Sequence, residues 1–206
     1  MARTTLTALA AATAALTLLS AAPLAAEQTQ AADDSTSATI SNLFPPAGSV
    51  RLIETKEGVQ EILQQHGSEL LVVNFWATWC SPCVAEIPYF VELSKAYPEQ
   101  KIRVVGFSTD LSSQVDTAVV PFLRKREIPY SNVVLFLDDA QEVIELVSEK
   151  WGGELPATFF FDKNGKKVGE ALGAVTRDEL FEMTARHHKT AVTGAAGKTA
   201  DPETPR

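Results

Sequence analysis

Cysteine and histidine are scarce: the 206 residues hold two cysteines, Cys80 and Cys83, and three histidines, His66, His187 and His188. A structural zinc site needs four ligands, and no histidine lies near the cysteine pair in sequence, so a zinc half-site is excluded and no metal is expected. A disulfide acting only as a staple fits poorly too, because closing so short a loop removes little unfolded-chain entropy. Positive charge is also short, with 18 Lys and Arg against 26 Asp and Glu, a formal net charge of −8. Nucleic acid is thereby excluded as a partner, and there is no polybasic patch for an anionic membrane surface. A protein or thiol partner remains, and no motif asks for a cofactor.

Long apolar runs are missing as well. The run from about Leu6 to Leu19 is short and alanine-rich for a bilayer span. With Arg3 before it and the small Ala25 and Ala26 after it, residues 1–26 read as a secretory signal peptide cleaved after Ala26, or, if uncleaved, as an N-terminal anchor. Either way the chain is expected outside the cytoplasm, in the periplasm or another extracytoplasmic space, where an oxidising environment suits a lone cysteine pair. Residues 27–49 are polar, rich in Ala, Ser, Thr and Gln, and read as a disordered linker. Residues 189–206, rich in Gly, Ala, Thr and Pro, read as a disordered tail. Between them, residues 50–188 suffice for one domain with a sizeable core, expected to be a monomer.

What the chain does have is concentrated between Leu70 and Tyr97, LLVVNFWATWCSPCVAEIPYFVELSKAY. Leu70 to Phe75 is an apolar, β-branched run short enough for a strand covered on both faces, and Pro82 suits the first turn of a helix. Cys80 then stands at the helix N-terminus, where free backbone N–H groups and the helix dipole favour a thiolate. Cys83, three residues on, is placed to resolve a mixed disulfide. The helix is expected to bury Val84, Ile87 and Val91. Glu86 lies one turn beyond Cys83 on the same side. An ordinary glutamate there would face water, whereas one partly buried by the strand and Trp76 would have a raised pKa and exchange a proton with Cys83.

The segment NFWATWCSPCVAEIP closely resembles the active site of the thioredoxin superfamily, and the glutamate followed by Ile-Pro is most similar to its TlpA/ResA-type exported branch. The preceding strand, Trp76, Trp79, Pro82 and the helix proline Pro88 make the resemblance specific; it extends from about Leu52 to His187. It implies a thioredoxin-like α/β fold, a central mixed sheet flanked by helices, with an insertion between central strands that borders the partner-binding surface. It further implies a cis Leu155–Pro156 bond opposite the cysteines, with Trp79, Pro82, Leu155 and Pro156 at the substrate, and a glutamate at the place of Glu86 that tunes the cysteines. Where many relatives have Pro-Thr-Thr this chain has Pro156-Ala157-Thr158.

The remaining pattern is consistent with such a fold. Val50 to Ile53 reads as an edge strand, Glu57 to Gln65 as a short amphipathic helix ending before Gly67, and Ile102 to Phe107 as a second buried strand in a right-handed βαβ unit. Asp110 opens a polar turn. Helices are expected at Val115 to Arg126, interrupted by Pro121, and at Ala140 to Lys150, with a short strand at Val133 to Leu137 between them. The Asp162-Lys163-Asn164-Gly165-Lys166 turn joins two antiparallel strands, and Thr176 with Glu179 forms a capping box for a last helix to about His187. His66 is expected to be solvated or to pair with a helix dipole rather than to act as a ligand, and the His187–His188 pair to be exposed near the last helix's end.

Together these features point to an exported thiol–disulfide oxidoreductase in which Cys80 attacks and Cys83 resolves. Ser81-Pro82 lacks the histidine found between the cysteines of strongly oxidising relatives, so reduction of protein disulfides is favoured over an oxidase or isomerase role. A non-catalytic binding protein or holdase using the groove around Trp79 and Pro156 is the alternative from another class, and it leaves cysteines at a helix start unexplained. A peroxiredoxin-like peroxidase would need a Thr-x-x-Cys spacing that Thr78 does not supply. Expected partners are protein thiols or disulfides, such as apocytochrome c haem-site thiols or a copper-site protein, and a membrane or exported electron donor.

Overall fold

The computed structural model describes residues 40–136 and 140–193; the segments read as a signal peptide, as a linker up to residue 39 and as a tail from residue 194 lie outside the described residues. The strands are β1 (Val50–Ile53), β2 (Leu70–Trp76), β3 (Ile102–Ser108), β4 (Ser131–Leu135), β5 (Ala157–Asp162) and β6 (Lys167–Leu172). The helices are α1 (Lys56–Gln64), α2 (Ser81–Ala96), α3 (Val120–Lys125), α4 (Ala140–Val147) and α5 (Arg177–Thr193). A tight helical turn at Ser112–Gln114 and a wide one at Val115–Val119 lead into α3, so Pro121 falls in that helix's first turn, where its missing N–H costs nothing.

One six-stranded sheet runs in the order β1-β4-β3-β2-β5-β6. The first four are parallel to one another, β5 runs antiparallel to β2, and β6 runs antiparallel to β5. This is the mixed α/β sheet expected from the sequence. The segment between β3 and β5 is more than a crossover, because it supplies β4, which enters the sheet between β1 and β3.

Strand alternation divides the core. Leu70, Val72 and Trp76 of β2 point to one face with Ile87, Phe90 and Leu93 of α2 and Leu180 of α5. Leu71, Val73 and Phe75 point to the other, with Val59 and Ile62 of α1 and Val143 and Val147 of α4. Every residue of β2 and β3 is buried, which is why both read as continuous apolar runs. On the second face Phe75 meets Trp151, Phe107 and Phe159 at ring-centroid distances of 4.5, 5.2 and 5.6 Å. Trp151 donates its indole N–H to Glu154 O at 2.8 Å, which fixes the glycine-bearing turn ahead of Pro156.

Several expectations need correction. The buried stripe of α2 is Cys83, Glu86, Ile87, Phe90 and Leu93, with Val84 and Val91 only half-buried, so the helix is rotated toward the side carrying the glutamate. The end of the presumed linker is packed rather than loose. Residues 40–44 make a turn closed by Phe44 N donating to Ile40 O, Leu43 and Phe44 are buried, and the Arg103 guanidinium lies 4.5 Å over the Phe44 ring. Helix α5 continues past His188 to Thr193. His187 and His188 are half-buried rather than exposed, His187 stacking on Phe160 and His188 pairing with Glu69 at 2.6 Å.

His66 departs furthest from the solvated reading, being fully buried. Its Nε2 donates to Asp162 O at 2.9 Å, which assigns the tautomer, and Nδ1 meets Ser68 Oγ at 2.7 Å. Burial holds its pKa below the ordinary histidine value. A histidine that takes up a proton more readily unfolded than folded contributes stability that is complete above its unfolded pKa, ~6.5, and is lost as pH falls below it. We expect a slope of up to about 1.4 kcal/mol per pH unit from this residue, absent from His66→Gln. Urea midpoints for both proteins at pH 7.5 and 5.5 check this, and parallel losses in the two would remove His66 as the cause.

Candidate active site

Strand β2 ends at Trp76, whose carbonyl accepts from Thr109 N at 2.9 Å, and the chain turns through Ala77, Thr78 and Trp79 into α2. Cys80 is the helix N-cap: its backbone is extended, and its Sγ accepts from Cys83 N at 3.3 Å. Pro82 occupies the first turn, and Pro88 lies within the helix. Cys80 and Cys83 are joined as a disulfide with their Cα atoms 5.3 Å apart. The two sulfurs are not equivalent. Cys80 lines a cavity and retains 6% exposure, whereas Cys83 is fully buried.

The cavity, of about 790 Å³, opens beside the disulfide and is walled by apolar side chains, among them Trp79, Pro82, Leu111, Phe136 and Leu155. Trp79, Leu111 and Phe136 are 64%, 67% and 48% exposed, so they form an apolar rim in water. The far wall comes from the inserted segment, through Leu135, Ala140, Val143 and Ile144. Among the described residues, Asp110 and Glu154 are the acidic side chains along it, and no Lys, Arg or His lines it. The Leu155–Pro156 bond is cis. Leu155 faces the cavity, while Pro156 is buried with its carbonyl accepting from Gly173 N at 2.9 Å.

Beneath the disulfide, Glu86 is 2% exposed. Its carboxylate accepts from Asn74 Nδ2 at 2.8 Å and from Val175 N at 3.1 Å. Burial raises its pKa from 4.5 to about 6, more than those two hydrogen bonds lower it. Tyr130 is buried nearby, and its pKa is pushed upward by burial and then by the negative charge of Glu86. Glu86 and Cys83, three residues apart on one buried stripe, are neighbours on the helix face, with Cβ atoms roughly 5–6 Å apart.

The structure therefore gathers Cys80, Trp79, Pro82 and Leu155 around one cavity, with Cys83 and Glu86 buried behind Cys80, and with Pro156 off the lining. Sequence reasoning did not single out Asn74, Tyr130 or Val175. A polar residue in the run LLVVNFW was the available signal for Asn74; nothing local marked the Val175 amide.

A sequence profile of the AhpC/TSA family matches residues 50–168. The chain belongs to this family. Within the AhpC/TSA family it is of the ResA type: "Thiol-disulfide oxidoreductase ResA" of Bacillus thuringiensis (strain Al Hakam) is 31% identical over 124 residues, 60% of this chain and 66% of that protein. The chain thus spans just under two thirds of that relative's length. The "Sporulation thiol-disulfide oxidoreductase A" of Bacillus subtilis (strain 168) is 26% identical over 140 residues, 68% of this chain and 81% of that protein. Among solved structures, a thioredoxin-related protein from Neisseria meningitidis serogroup B superposes with a TM-score of 0.51 at 24% identity, over 59% of this chain and 87% of that one. The AhpC/TSA domain here accordingly has a thioredoxin-like fold.

Proposed function

We propose that the protein is an exported thiol–disulfide oxidoreductase that reduces disulfides of other proteins. The observation that carries this reading is the asymmetric pair at the start of α2, with Cys80 at a cavity mouth and Cys83 buried above a carboxylate. In the reduced form, the Cys80 thiolate attacks one sulfur of a client disulfide. A mixed disulfide forms, and the other client sulfur leaves and takes a proton. Cys83 then gives its proton to Glu86 and attacks Cys80 Sγ, which expels the second client thiolate. Two electrons have passed to the client, and the protein is left with the Cys80–Cys83 disulfide seen here, to be reduced again by an external dithiol.

Each residue has a physical role in that sequence. The N–H groups of Ser81 and Cys83 at the start of α2, the latter donating to Cys80 Sγ at 3.3 Å, stabilise the Cys80 thiolate, the nucleophile of the first step. Glu86, with a pKa of about 6, is mostly ionised at neutral pH and can accept a thiol proton. The apolar rim of Trp79, Leu111 and Phe136 offers area for a client segment beside Cys80, and the residue before Pro156, Leu155, offers its backbone to an extended client strand. The absence of a histidine between the cysteines favours reduction over oxidation. The leader-like residues 1–26 support export to the periplasm or another extracytoplasmic compartment, with clients such as apocytochrome c or a copper-site protein and a membrane or exported donor.

Insulin reduction tests the reading. With dithiothreitol as donor, the protein should accelerate precipitation of the insulin B chain catalytically, at least about tenfold over donor alone, and the Cys80→Ala/Cys83→Ala variant should not. Equal rates for the two would leave a binding protein.

A further inference from the structure

Asp110, at the exit of β3, is a buried carboxylate that the exchange reaction described above does not use; it is 1% exposed. Its partners are specific. Oδ2 accepts from Thr78 N at 2.9 Å and from Ser108 Oγ at 2.7 Å, and Oδ1 accepts from Thr78 Oγ1 at 2.5 Å. Its own N–H donates to Ser108 Oγ at 3.1 Å. Thr78 lies two residues before Cys80, so two donors of the loop that delivers the attacking cysteine, both from Thr78, converge on one carboxylate just beyond the neighbouring strand β3. Asp110 also lines the cavity into which Cys80 opens.

We infer that Asp110 is a positioning residue of the redox site, clamping the Ala77–Trp79 loop against β3 while its negative charge opposes the thiolate that forms at Cys80. The inference rests on the redox reading of the cysteine pair and adds a control on it. The clamp has a mechanical reason. Ala77 to Trp79 belong to neither β2 nor α2, and a free loop there would let the N-cap sulfur wander relative to the cavity. Two hydrogen bonds to a carboxylate, each stronger than a neutral pair, hold it. The charge has an electrostatic reason. Charges facing one low-dielectric cavity interact more strongly than in bulk water, and among the described residues no Lys, Arg or His along it screens Asp110. Among the described residues, the other acids that bear on the cysteine pair are Glu154 on the cavity lining and Glu86 behind Cys83, so the helix N-terminus is the main positive influence there on the thiolate.

The redox couple is the disulfide plus two electrons and two protons giving the dithiol, with glutathione as the exchange partner in the test. Removing a charge that disfavours the thiolate stabilises the reduced form. Asp110→Asn, close in shape and still able to accept from Thr78 N, should therefore lower the Cys80 thiol pKa and favour the dithiol by about tenfold, equivalent to about 30 mV toward a more oxidising couple. Thr78→Val removes the hydroxyl donor but no charge. It should slow attack on a disulfide severalfold and leave the thiol pKa in place.

Thiolate absorbance against pH, and exchange with glutathione buffers followed both for the rate of attack on glutathione disulfide and to equilibrium, are the measurements, made on the full chain, with circular dichroism to establish folding. A folded Asp110→Asn protein with wild-type thiol pKa and potential would overturn the electrostatic half of the proposal. A Thr78→Val protein with wild-type attack rates would overturn the clamp. Neither readout needs protein-disulfide turnover, so a protein inactive on insulin with a shifted Asp110→Asn titration would sink the functional reading and leave this one standing.

Discussion

Replacing Cys83 by alanine should convert turnover into capture, with protein clients retained covalently on Cys80 and insulin reduction reduced by on the order of 10³-fold. The size follows from intramolecularity. In the native protein the second sulfur is held against the first by one helical turn, and an external thiol at millimolar concentration must replace that proximity in the variant. The direction follows from exposure, since Cys80 faces a cavity and Cys83 is buried on the inner face of α2. Adducts should run as slow, dithiothreitol-sensitive bands on non-reducing gels, with mass spectrometry placing the bond at Cys80. The complementary Cys80→Ala protein should form few. Abundant adducts through Cys83 in that protein, and none in the first, would reverse the two roles.

Glu86→Gln should slow exchange near neutral pH by about 10²-fold, the range typical for loss of a general acid–base group, while making the oxidised protein more stable. The two effects have one origin. The carboxyl pKa rises from 4.5 to about 6 on folding, so the folded state holds the proton more tightly than the unfolded one. Stability from this group is complete below pH 4.5 and is lost as pH rises through 6, a loss of about 2 kcal/mol at neutrality at 1.36 kcal/mol per pKa unit. Glutamine cannot ionise, and its amide can still accept from Val175 N while donating to Asn74 Oδ1, a buried acceptor with no protein partner. Wild type and Glu86→Gln should therefore have similar urea midpoints at pH 4 and diverge at pH 7.5 in favour of the variant. Stopped-flow reduction rates across the same range should show the wild-type rise near pH 6 disappear. A variant with unchanged rates and no gain in stability would make Glu86 a bystander.

That a stabilising substitution is expected to impair exchange says what the buried glutamate is for. A carboxylate at 2% exposure, opposed by burial and held by Asn74 from β2 and Val175 from the loop before α5, is costly to the fold. Its position beside Cys83 gives that cost a use.

Much of the molecule follows from chain-local chemistry. The apolar run before Cys80, the first-turn Pro82, the Thr176–Glu179 capping box and the Asp162–Lys166 turn all appear where the residues place them. Each depends on atoms within about one turn or one hairpin, so the sequence by itself determined them, and with them the redox pair at a helix start. The burial of Glu86 was only an alternative at that level. A glutamate on a helix is ordinarily solvated, and whether it is depends on the rotation of α2 on the sheet, which Phe90 and Leu93 decide by packing inward in place of Val84 and Val91. His66 went the same way, since its partner Asp162 O lies 96 residues on. The Val175 amide reaches Glu86 across 89 residues, and Asp110 reaches Thr78 across 32. Such partners are invisible to periodicity because they arise where different elements converge, and the free energy of a charge depends on the solvent and donors around it rather than on its neighbours in sequence. The sequence determined which residues carry the sulfur chemistry; only the tertiary structure decided the protonation and positioning of that chemistry, because only packing decides what is removed from water and what is brought within hydrogen-bonding distance of it.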